Sequence, residues 1–357
     1  MKKVIIFITI ILVLFSPRFY WMFKSAAALD IAVVDKTVPK KDYREHNGLF
    51  WILENKKIVK PNGELYDIGR DYFGYDPYEQ KETVSYDVTR NVDLIYIADT
   101  YGVYSDDLQD LPEGERTQKV YGGMDLLEWN AVMESKGKDT TLIAEFNSFA
   151  EPTDKVTRKI MERNIGVVWS DWIGRYFKEL DSSEIPPWLI RNYENQYKEK
   201  WDFKGPGLAF VHTSDRVVVL GKHDVKDFVS VQLTQQGEKQ LDGVSSSNYM
   251  YWFDIVSPME GSDILAEYEL HLTSKGEEQL IQSGIPTKFP AVVHHAENKT
   301  YYFAGDYTDY PKKSLAKWEK APLLLKGFSN DDSQFYWSTY VPLMNEVIEK
   351  IIEQKRW

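Results

Sequence analysis

Short apolar segments alternate with amphipathic ones through the first half of the chain. Uninterrupted apolar runs at 29–34, 92–98 and 140–144 are typical of strands buried on both faces of a parallel sheet. The third run leads into a helical pattern over 155–166, and Gly166 is suited to the end of that helix. This alternation predicts an α/β fold, with a mostly parallel sheet and helices on both faces.

The second half of the chain is richer in predicted strands. A strand at 165–169 would continue the parallel sheet, whereas 224–272 indicates a β-rich, antiparallel excursion. A strand pair within 289–304 would bring Asp306 to an edge of the sheet. The apolar positions of 341–354 fall on one stripe, which predicts a C-terminal helix packed against the sheet.

The N-terminus predicts a hydrophobic helix that serves as a signal-anchor or signal peptide over 1–28. Two lysines precede an unbroken apolar run over 4–15. We expect 4–23 to span the membrane once, with 29–357 forming a single domain outside the cytoplasm. Cleavage within the small residues at 25–28, which would give a secreted protein, is the alternative.

Composition excludes several function classes. The net charge of −12 makes nucleic acid, or an anionic lipid surface, an improbable partner for the main body. Without cysteine the chain has no disulfide, thiolate metal ligand or cysteine nucleophile. Aromatic residues make up 14% of the sequence, which fits either a tyrosine-rich core and surface or a cleft that stacks sugar rings.

Acidic residues follow the predicted strands at the positions where each strand ends. Asp35, Asp99, Glu145 and Asp171 would meet at the carboxyl edge of one sheet. Clustered carboxyl groups raise one another's pKa, so that one can act as an acid while another stays ionised. Glu145 and Asp99 are therefore the candidate catalytic pair for cleaving a glycosidic bond. Helix capping or pairing with basic residues is the competing interpretation.

The turn after the strand at 140–144 carries Asn147 and Ser148, which we expect to bind a ligand beside Glu145. Ser148 lacks the glycine-flanked elbow of a serine nucleophile, so a serine triad is disfavoured.

Four further candidate ligand-binding residues lie elsewhere in the chain. Trp129 and Trp172 would stack on sugar rings, together with the aromatic residues Tyr101, Trp169 and Tyr176. Asp306 would reach the sheet edge, and His46 would either join the site or cap and pack its helix. His294 and His295 are adjacent on a strand and point to opposite faces, which disfavours a shared metal ion. No metal and no cofactor is expected.

The strand series ending in Asp35, Asp99 and Glu145, together with the late hairpin over 289–307, resembles the class I glutamine amidotransferase-like superfold. The similarity is to its branch without glutaminase activity, which includes trehalose-utilisation-type proteins and the middle domain of some β-galactosidases. The glutaminases carry a glycine-flanked cysteine after the equivalent strand, where this chain has Glu145 to Ser148, so thioester chemistry is impossible.

These patterns lead to two hypotheses of different kinds. The first is a membrane-anchored, extracytoplasmic protein that binds or processes envelope carbohydrate in an acidic, aromatic-lined cleft. The second is a non-catalytic scaffold that binds proteins of a membrane complex for polysaccharide export or cell-wall assembly.

Overall fold

The chain folds into two β-sheets with helices packed against them, in a computed structural model that describes residues 15–83, 92–109, 117–310 and 315–356. The helices are α1 (15–23), α2 (Arg44–Lys56), α3 (Ser105–Gln109), α4 (Leu126–Ser135), α5 (Lys155–Ile165), α6 (Pro187–Tyr197), α7 (Gln235–Gln240), α8 (Ser274–Gln282), α9 (Ala321–Gly327), α10 (Asp331–Phe335), a π-helical turn (Tyr336–Tyr340) and α11 (Val341–Lys355). The strands are β1 (Ala27–Ala28), β2 (Ile31–Asp35), β3 (Ile58–Val59), β4 (Phe73–Asp76), β5 (Lys81–Glu82), β6 (Leu94–Asp99), β7 (Val103–Tyr104), β8 (Lys119–Tyr121), β9 (Thr141–Glu145), β10 (Val167–Phe177), β11 (Gly207–His212), β12 (Val217–Leu220), β13 (Val229–Leu233), β14 (Ser247–Tyr249), β15 (Phe253–Pro258), β16 (Ser262–Glu269), β17 (Lys288–His295) and β18 (Thr300–Phe303).

The larger sheet has ten strands within the described residues, in the order β14-β13-β16-β17-β18-β9-β6-β2-β4-β5. The four pairs from β18 to β4 are parallel, and the other pairs are antiparallel. The sheet is therefore mixed, and the prediction of a mostly parallel sheet was wrong in this respect. The reason is the β17–β18 hairpin, which places β18 beside β9 and lets the sheet continue through antiparallel neighbours.

The smaller sheet, β12-β11-β10-β15, is antiparallel throughout. Its strand β10 contains residues 167–169 of the segment 165–169, which was predicted to extend the parallel sheet, so that prediction was also wrong. Residues 224–272 contribute β13, β14 and β16 to the larger sheet and β15 to the smaller one. They are strand-rich and antiparallel, as predicted, and they are built into both sheets.

The helix after β9 forms for the reasons that the sequence indicates. The side chain of Asp154 accepts hydrogen bonds from the backbone N–H groups of Val156 and Thr157 at 2.9 and 3.0 Å. At the other end Gly166 adopts φ 93°, a left-handed conformation that costs glycine little. The helix α5 is confirmed over Lys155–Ile165.

Helical segments lie on both faces of the larger sheet at β18. Neighbouring side chains on β18 point to opposite faces. The ring of Phe303 lies 6.2 Å from that of Tyr340 in the π-helical turn, whereas Tyr302 stacks on Phe149 at 4.8 Å. On the Tyr302 face, Thr300 donates to the carbonyl of Ile165 at the end of α5 at 2.7 Å. The strand β18 is thus buried between two layers.

The predicted hydrophobic segment at the N-terminus is described only in part. Residues 15–23 form α1, while 1–14, and with them most of the predicted span over 4–23, lie outside the described residues. No helix within the described ranges combines the length and apolar character needed to cross a bilayer.

Candidate functional site

The carboxyl ends of the parallel strands bring Asp35 and Asp99 together. Asp35 ends β2 and Asp99 ends β6, and the two residues are partners in the register of these strands. Both are buried. The prediction that acids at the ends of the parallel strands come together is therefore confirmed for Asp35 and Asp99.

Asp99 is held by donors from three segments. Its Oδ1 accepts hydrogen bonds from the hydroxyl of Thr37 at 2.8 Å and the backbone N–H of Tyr101 at 2.5 Å. Its Oδ2 accepts from the side-chain amide of Asn147 at 3.2 Å. Burial, with a smaller contribution from the charge of Asp35, raises the pKa of Asp99 to about 7 despite these donors. A carboxyl group with that pKa can both give and accept a proton near neutral pH.

Asn147 links Asp99 to a second buried acid. Its backbone is left-handed, with φ 65°, a conformation that asparagine tolerates better than most residues. The backbone N–H of Asn147 favours the ionised form of the Asp254 carboxyl and so lowers its pKa, and Oδ2 of Asp254 accepts a hydrogen bond from the hydroxyl of Tyr302. Burial raises the pKa of Asp254 to about 7. Asn147 therefore acts on two buried acids: its side-chain amide donates to Asp99, and its backbone N–H stabilises the charge of Asp254.

His46 pairs with Asp35 inside the protein. Nδ1 of His46 lies 2.5 Å from Oδ2 of Asp35, and neither side chain is exposed. Nε2 lies 3.0 Å from the carbonyl oxygen of Ile68, which can only accept, so this nitrogen carries a proton. The ring also packs against Phe50 and Tyr72, at 5.0 and 4.9 Å. This arrangement favours the packing interpretation of His46 over ligand binding.

Glu145, predicted as a catalytic carboxyl, is enclosed. One of its oxygens accepts a hydrogen bond from the hydroxyl of Tyr96, and the other accepts from the hydroxyl of Thr308 at 2.7 Å. Tyr96 lies in turn 2.8 Å from the hydroxyl of Tyr340. Burial raises the pKa of Glu145 to about 8. The side chain of Glu145 is fully buried, so a substrate cannot reach it in this structure. Hydrogen bonds from Tyr96 and Thr308 are typical of a buried acid with a structural role.

Two other predicted site residues are also buried and internally bonded. The hydroxyl of Ser148 donates to the backbone carbonyl of Glu145 at 2.6 Å, which closes the turn after β9. Trp129, on α4, is fully buried, and its Nε1 donates to Oδ1 of Asn164 at 2.9 Å. A tryptophan in this position cannot stack on a sugar ring unless α4 moves.

Asp171 and Trp172 lie on β10 and therefore belong to the smaller sheet. Asp171 forms an ion pair with Arg158 at 2.6 Å, and Trp172 is buried beside the ring of His212. The prediction that Asp171 would share an edge with Asp35 and Asp99 was wrong, because β10 pairs with β11 and β15 instead.

A second group of acids surrounds Asp306, which follows β18. Carboxylate oxygens of Glu45, Asp306 and Asp309 lie within 4.8 Å of one another, and we call these three residues the acidic cluster. Burial is the main cause that raises the pKa of each, and the charge of Asp99 adds to the effect at Glu45 and Asp306. The acidic cluster and Asp99 therefore share one electrostatic environment.

Arg44 supplies the opposite charge to the acidic cluster. Its guanidinium lies 2.5 Å from Oε1 of Glu45 and 3.4 Å from Oδ2 of Asp309, and more than half of its side chain is exposed. Three carboxylates at this spacing could ligate a hard cation such as Ca²⁺ or Mg²⁺. The guanidinium already provides part of the compensating charge, so the geometry by itself does not call for a metal.

Three contributors to this region, Glu45, Arg44 and Asp309, were not predicted as site residues. Glu45 precedes His46 at the start of α2, and Asp309 follows Asp306 by three residues. The sequence did contain a local indication for Asp309, because this acid lies only three residues after the predicted site residue Asp306. The sequence contained no such indication for Glu45, because Glu45 reaches Asp306 only through the packing of α2 against the segment after β18. This packing includes a hydrogen bond from the N–H of Gly48 to the carbonyl of Thr308 at 2.9 Å.

A pair of aromatic rings, one exposed and one half-buried, adjoins Asp99. The Tyr101 ring is 43% exposed, and it lies 4.8 Å from the ring of Tyr104. The backbone N–H of Tyr101 is bonded to Asp99, so this pair is adjacent to the acid. Among the other aromatic residues proposed to stack on sugars, Trp129, Trp169, Trp172 and Tyr176 are buried. Tyr101 is the one whose position suits that role.

Comparisons with known proteins assign no family. No family model matches the sequence, and no curated protein matches it. Two solved structures align with most of the chain. A putative ThuA-like protein from Bacteroides uniformis shares 8% identity over 92% of this chain and 93% of its own, with a TM-score of 0.37. A cytoplasmic protein from Salmonella typhimurium shares 9% identity over 90% of this chain and 98% of its own, with a TM-score of 0.39. These scores are too low to establish a shared superfold.

Proposed function

We propose that the protein binds or processes carbohydrate of the cell envelope at the carboxyl edge of its parallel strands. The observation that carries the proposal is Asp99, a carboxyl group with a pKa of about 7 beside the half-buried amide of Asn147 and the exposed ring of Tyr101. A carboxyl group, an amide and an aromatic ring are together suited to binding a sugar. The carboxyl and amide groups form hydrogen bonds with the sugar hydroxyls, and the ring packs against the apolar face of the sugar.

In this proposal Asp99 transfers the proton, and Glu145 has a structural role. Asp99 is buried but lies beside the half-buried Asn147 and the exposed Tyr101, whereas Glu145 is enclosed by Tyr96 and Thr308. The second carboxyl group that glycoside hydrolysis requires would come from the acidic cluster, which shares the electrostatic environment of Asp99.

We further propose that residues 4–23 anchor the protein in the membrane, with the domain outside the cytoplasm. The packing of α1 supports retention of this segment over its cleavage. Nε1 of Trp21 donates to the carbonyls of Glu54 and Asn55 at 3.2 and 3.1 Å, and Lys24 pairs with Glu319 at 2.8 Å. Cleavage at 25–28 would remove these contacts and expose the surface beneath Trp21. The mass of the protein purified from membranes distinguishes the two forms.

The test is calorimetric titration of the full-length protein with a panel of envelope oligosaccharides, followed by analysis of the products. Asp99→Asn should abolish turnover, with a loss of roughly 100-fold or more, because it removes the proton-transferring group and keeps the shape. Glu145→Gln is the matched control and should retain activity. If Glu145→Gln is folded and inactive, Glu145 is the catalytic acid. If no glycan binds saturably, the carbohydrate proposal fails.

The second candidate function is that of a non-catalytic scaffold in a membrane complex for polysaccharide export or cell-wall assembly. The observation that favours it is the internal bonding of the strand-end acids: Asp35 is paired with His46, and Glu145 with Tyr96. A scaffold would keep its cellular role in the Asp99→Asn variant and would be recovered with partner proteins of the membrane.

A further inference from the structure

The α1 helix presents a row of aromatic side chains to the outside of the domain. Phe15, Phe19 and Phe23 are spaced four residues apart, so they lie along one side of the helix. All three are exposed, Phe23 by 85%. The helix is attached to the domain by Trp21, which is 6% exposed. Its aromatic row is therefore largely exposed and lies outside the buried core of the domain.

The α9 helix adds a second set of exposed apolar side chains next to α1. Leu323 is 72% exposed and Phe328 is 82% exposed, and Leu324 is also exposed. The segment that leads into α9 contacts α1 directly. The N–H of Glu319 donates to the carbonyl of Pro17 at 3.3 Å, and the rings of Phe15 and Trp318 are 5.7 Å apart. Six of the exposed apolar residues in these helices and just after α9 form what we call the apolar face: Phe15, Phe19, Phe23, Leu323, Leu324 and Phe328.

The two chain segments that carry the apolar face have a net charge opposite in sign to that of the whole protein. Segments 15–24 and 315–328 contain five basic residues and one acid, Glu319, although the chain carries a net charge of −12. The basic residues are Arg18, Lys24, Lys317, Lys320 and Lys326. Aromatic and leucine side chains combined with lysine and arginine are typical of surfaces that lie in the interface of an anionic bilayer.

We propose that the apolar face docks onto the surface of a phospholipid bilayer that contains anionic lipids. Two observations favour a bilayer over a second protein. The face continues directly from the apolar sequence 4–15, and its basic rim complements phosphate headgroups. The location of this surface at a membrane rests on the anchoring proposed above. Docking through both α1 and α9 would fix the orientation of the domain, whereas an anchor alone would let it rotate.

The test uses the absence of native cysteine, which allows single-cysteine variants of the full-length chain to carry an environment-sensitive fluorophore. Labels at Leu323→Cys and Phe328→Cys report on the apolar face, and a label at Thr9→Cys reports on the anchor. Ile281→Cys is the matched control, since Ile281 is an exposed apolar residue on α8, which bonds to β12 of the smaller sheet. The protein is reconstituted in phosphatidylcholine vesicles with and without phosphatidylglycerol, and quenchers are placed in the lipid chains.

We expect the labels at positions 9, 323 and 328 to shift to shorter wavelength and to be quenched several-fold more than the label at 281. Lys320→Glu should weaken quenching at 328, and phosphatidylglycerol should strengthen it. If only the label at position 9 were quenched, the docking of the apolar face would be overturned and the membrane anchor would stand. Quenching at 323 and 328 without 9 would support the docking and overturn the anchor, and no quenching at all would overturn both. A wavelength shift at 328 that appears without lipid and grows with protein concentration would assign the face to a second copy, against this proposal.

Discussion

The side-chain amide of Asn147 donates a hydrogen bond to Oδ2 of Asp99 at 3.2 Å, from the turn after β9 to the end of β6. A donor to a carboxylate favours the ionised form and lowers its pKa. Asn147 therefore opposes the burial that raises the pKa of Asp99 to about 7.

Replacing Asn147 with glycine should raise the pKa of Asp99 above about 7, since glycine keeps the left-handed backbone at φ 65° and removes the amide. Carbon-13 NMR titration of the Asp99 carboxyl measures the change. Thr37→Val, which removes the other side-chain donor, should shift the pKa in the same direction. An unchanged or lower pKa in Asn147→Gly would show that the amide does not control Asp99. Asn147→Ala should cost about 1 kcal/mol more stability than Asn147→Gly because of its strained backbone.

Glu145→Gln should remove a pH dependence of stability. Between the ordinary glutamate pKa of 4.5 and the folded value of about 8, the folded protein keeps a proton that the unfolded chain has released. The contribution of this group is therefore fully present below pH 4.5 and is lost as the pH rises towards 8. Glutamine cannot ionise in either state and can still accept from Thr308.

The variant should thus gain stability over the wild type with rising pH, by about 1.4 kcal/mol for each pH unit within this window. Denaturant unfolding at a series of pH values measures it. Glu145→Ala is the contrasting variant and should lose about 2–5 kcal/mol, because it leaves a cavity and removes the carboxyl group that accepts from the hydroxyls of Tyr96 and Thr308. If the unfolding free energies of Glu145→Gln and the wild type changed with pH in the same way, the raised pKa of Glu145 would be contradicted.

His46→Leu should destabilise the fold by about 3–5 kcal/mol. It leaves the carboxyl group of Asp35 buried without the imidazole that lies 2.5 Å away. In the double variant Asp35→Asn/His46→Leu the loss should be smaller than the sum of the single losses, as a double-mutant cycle of unfolding free energies would show. Full stability of His46→Leu together with lost ligand binding would instead assign His46 to the binding site.

Arg44→Gln should destabilise the protein by roughly 1–2 kcal/mol at pH 8 and by less at pH 5. The guanidinium compensates the acidic cluster only where its carboxyl groups are ionised, and burial raises the pKa of each of them. At lower pH these groups are neutral in the folded protein, so the loss of the arginine matters less. Thermal unfolding at both pH values measures the difference. Lys200→Gln, which removes an exposed ion pair with Glu194, is the control and should change little at either pH.

Much of the local structure follows from the sequence. The runs that predicted strands at 29–34, 92–98 and 140–144 form β2, β6 and β9, and the stripe over 341–354 forms α11. These elements depend on the spacing of apolar side chains and on capping residues, which are properties of a short stretch of chain. The convergence of Asp35 and Asp99 also follows, because parallel neighbours align their carboxyl ends.

The tertiary structure alone decided which strands pair and which acids meet. The apolar pattern of β10 is compatible with either sheet, and its pairing with β11 and β15 moved Asp171 away from the site. The enclosure of Glu145 depends on Tyr340 and Thr308, which are far from it in the chain. The meeting of Glu45 with Asp306 likewise depends on how α2 packs. Contacts between distant segments arise from the packing of the whole core, and no local pattern records them.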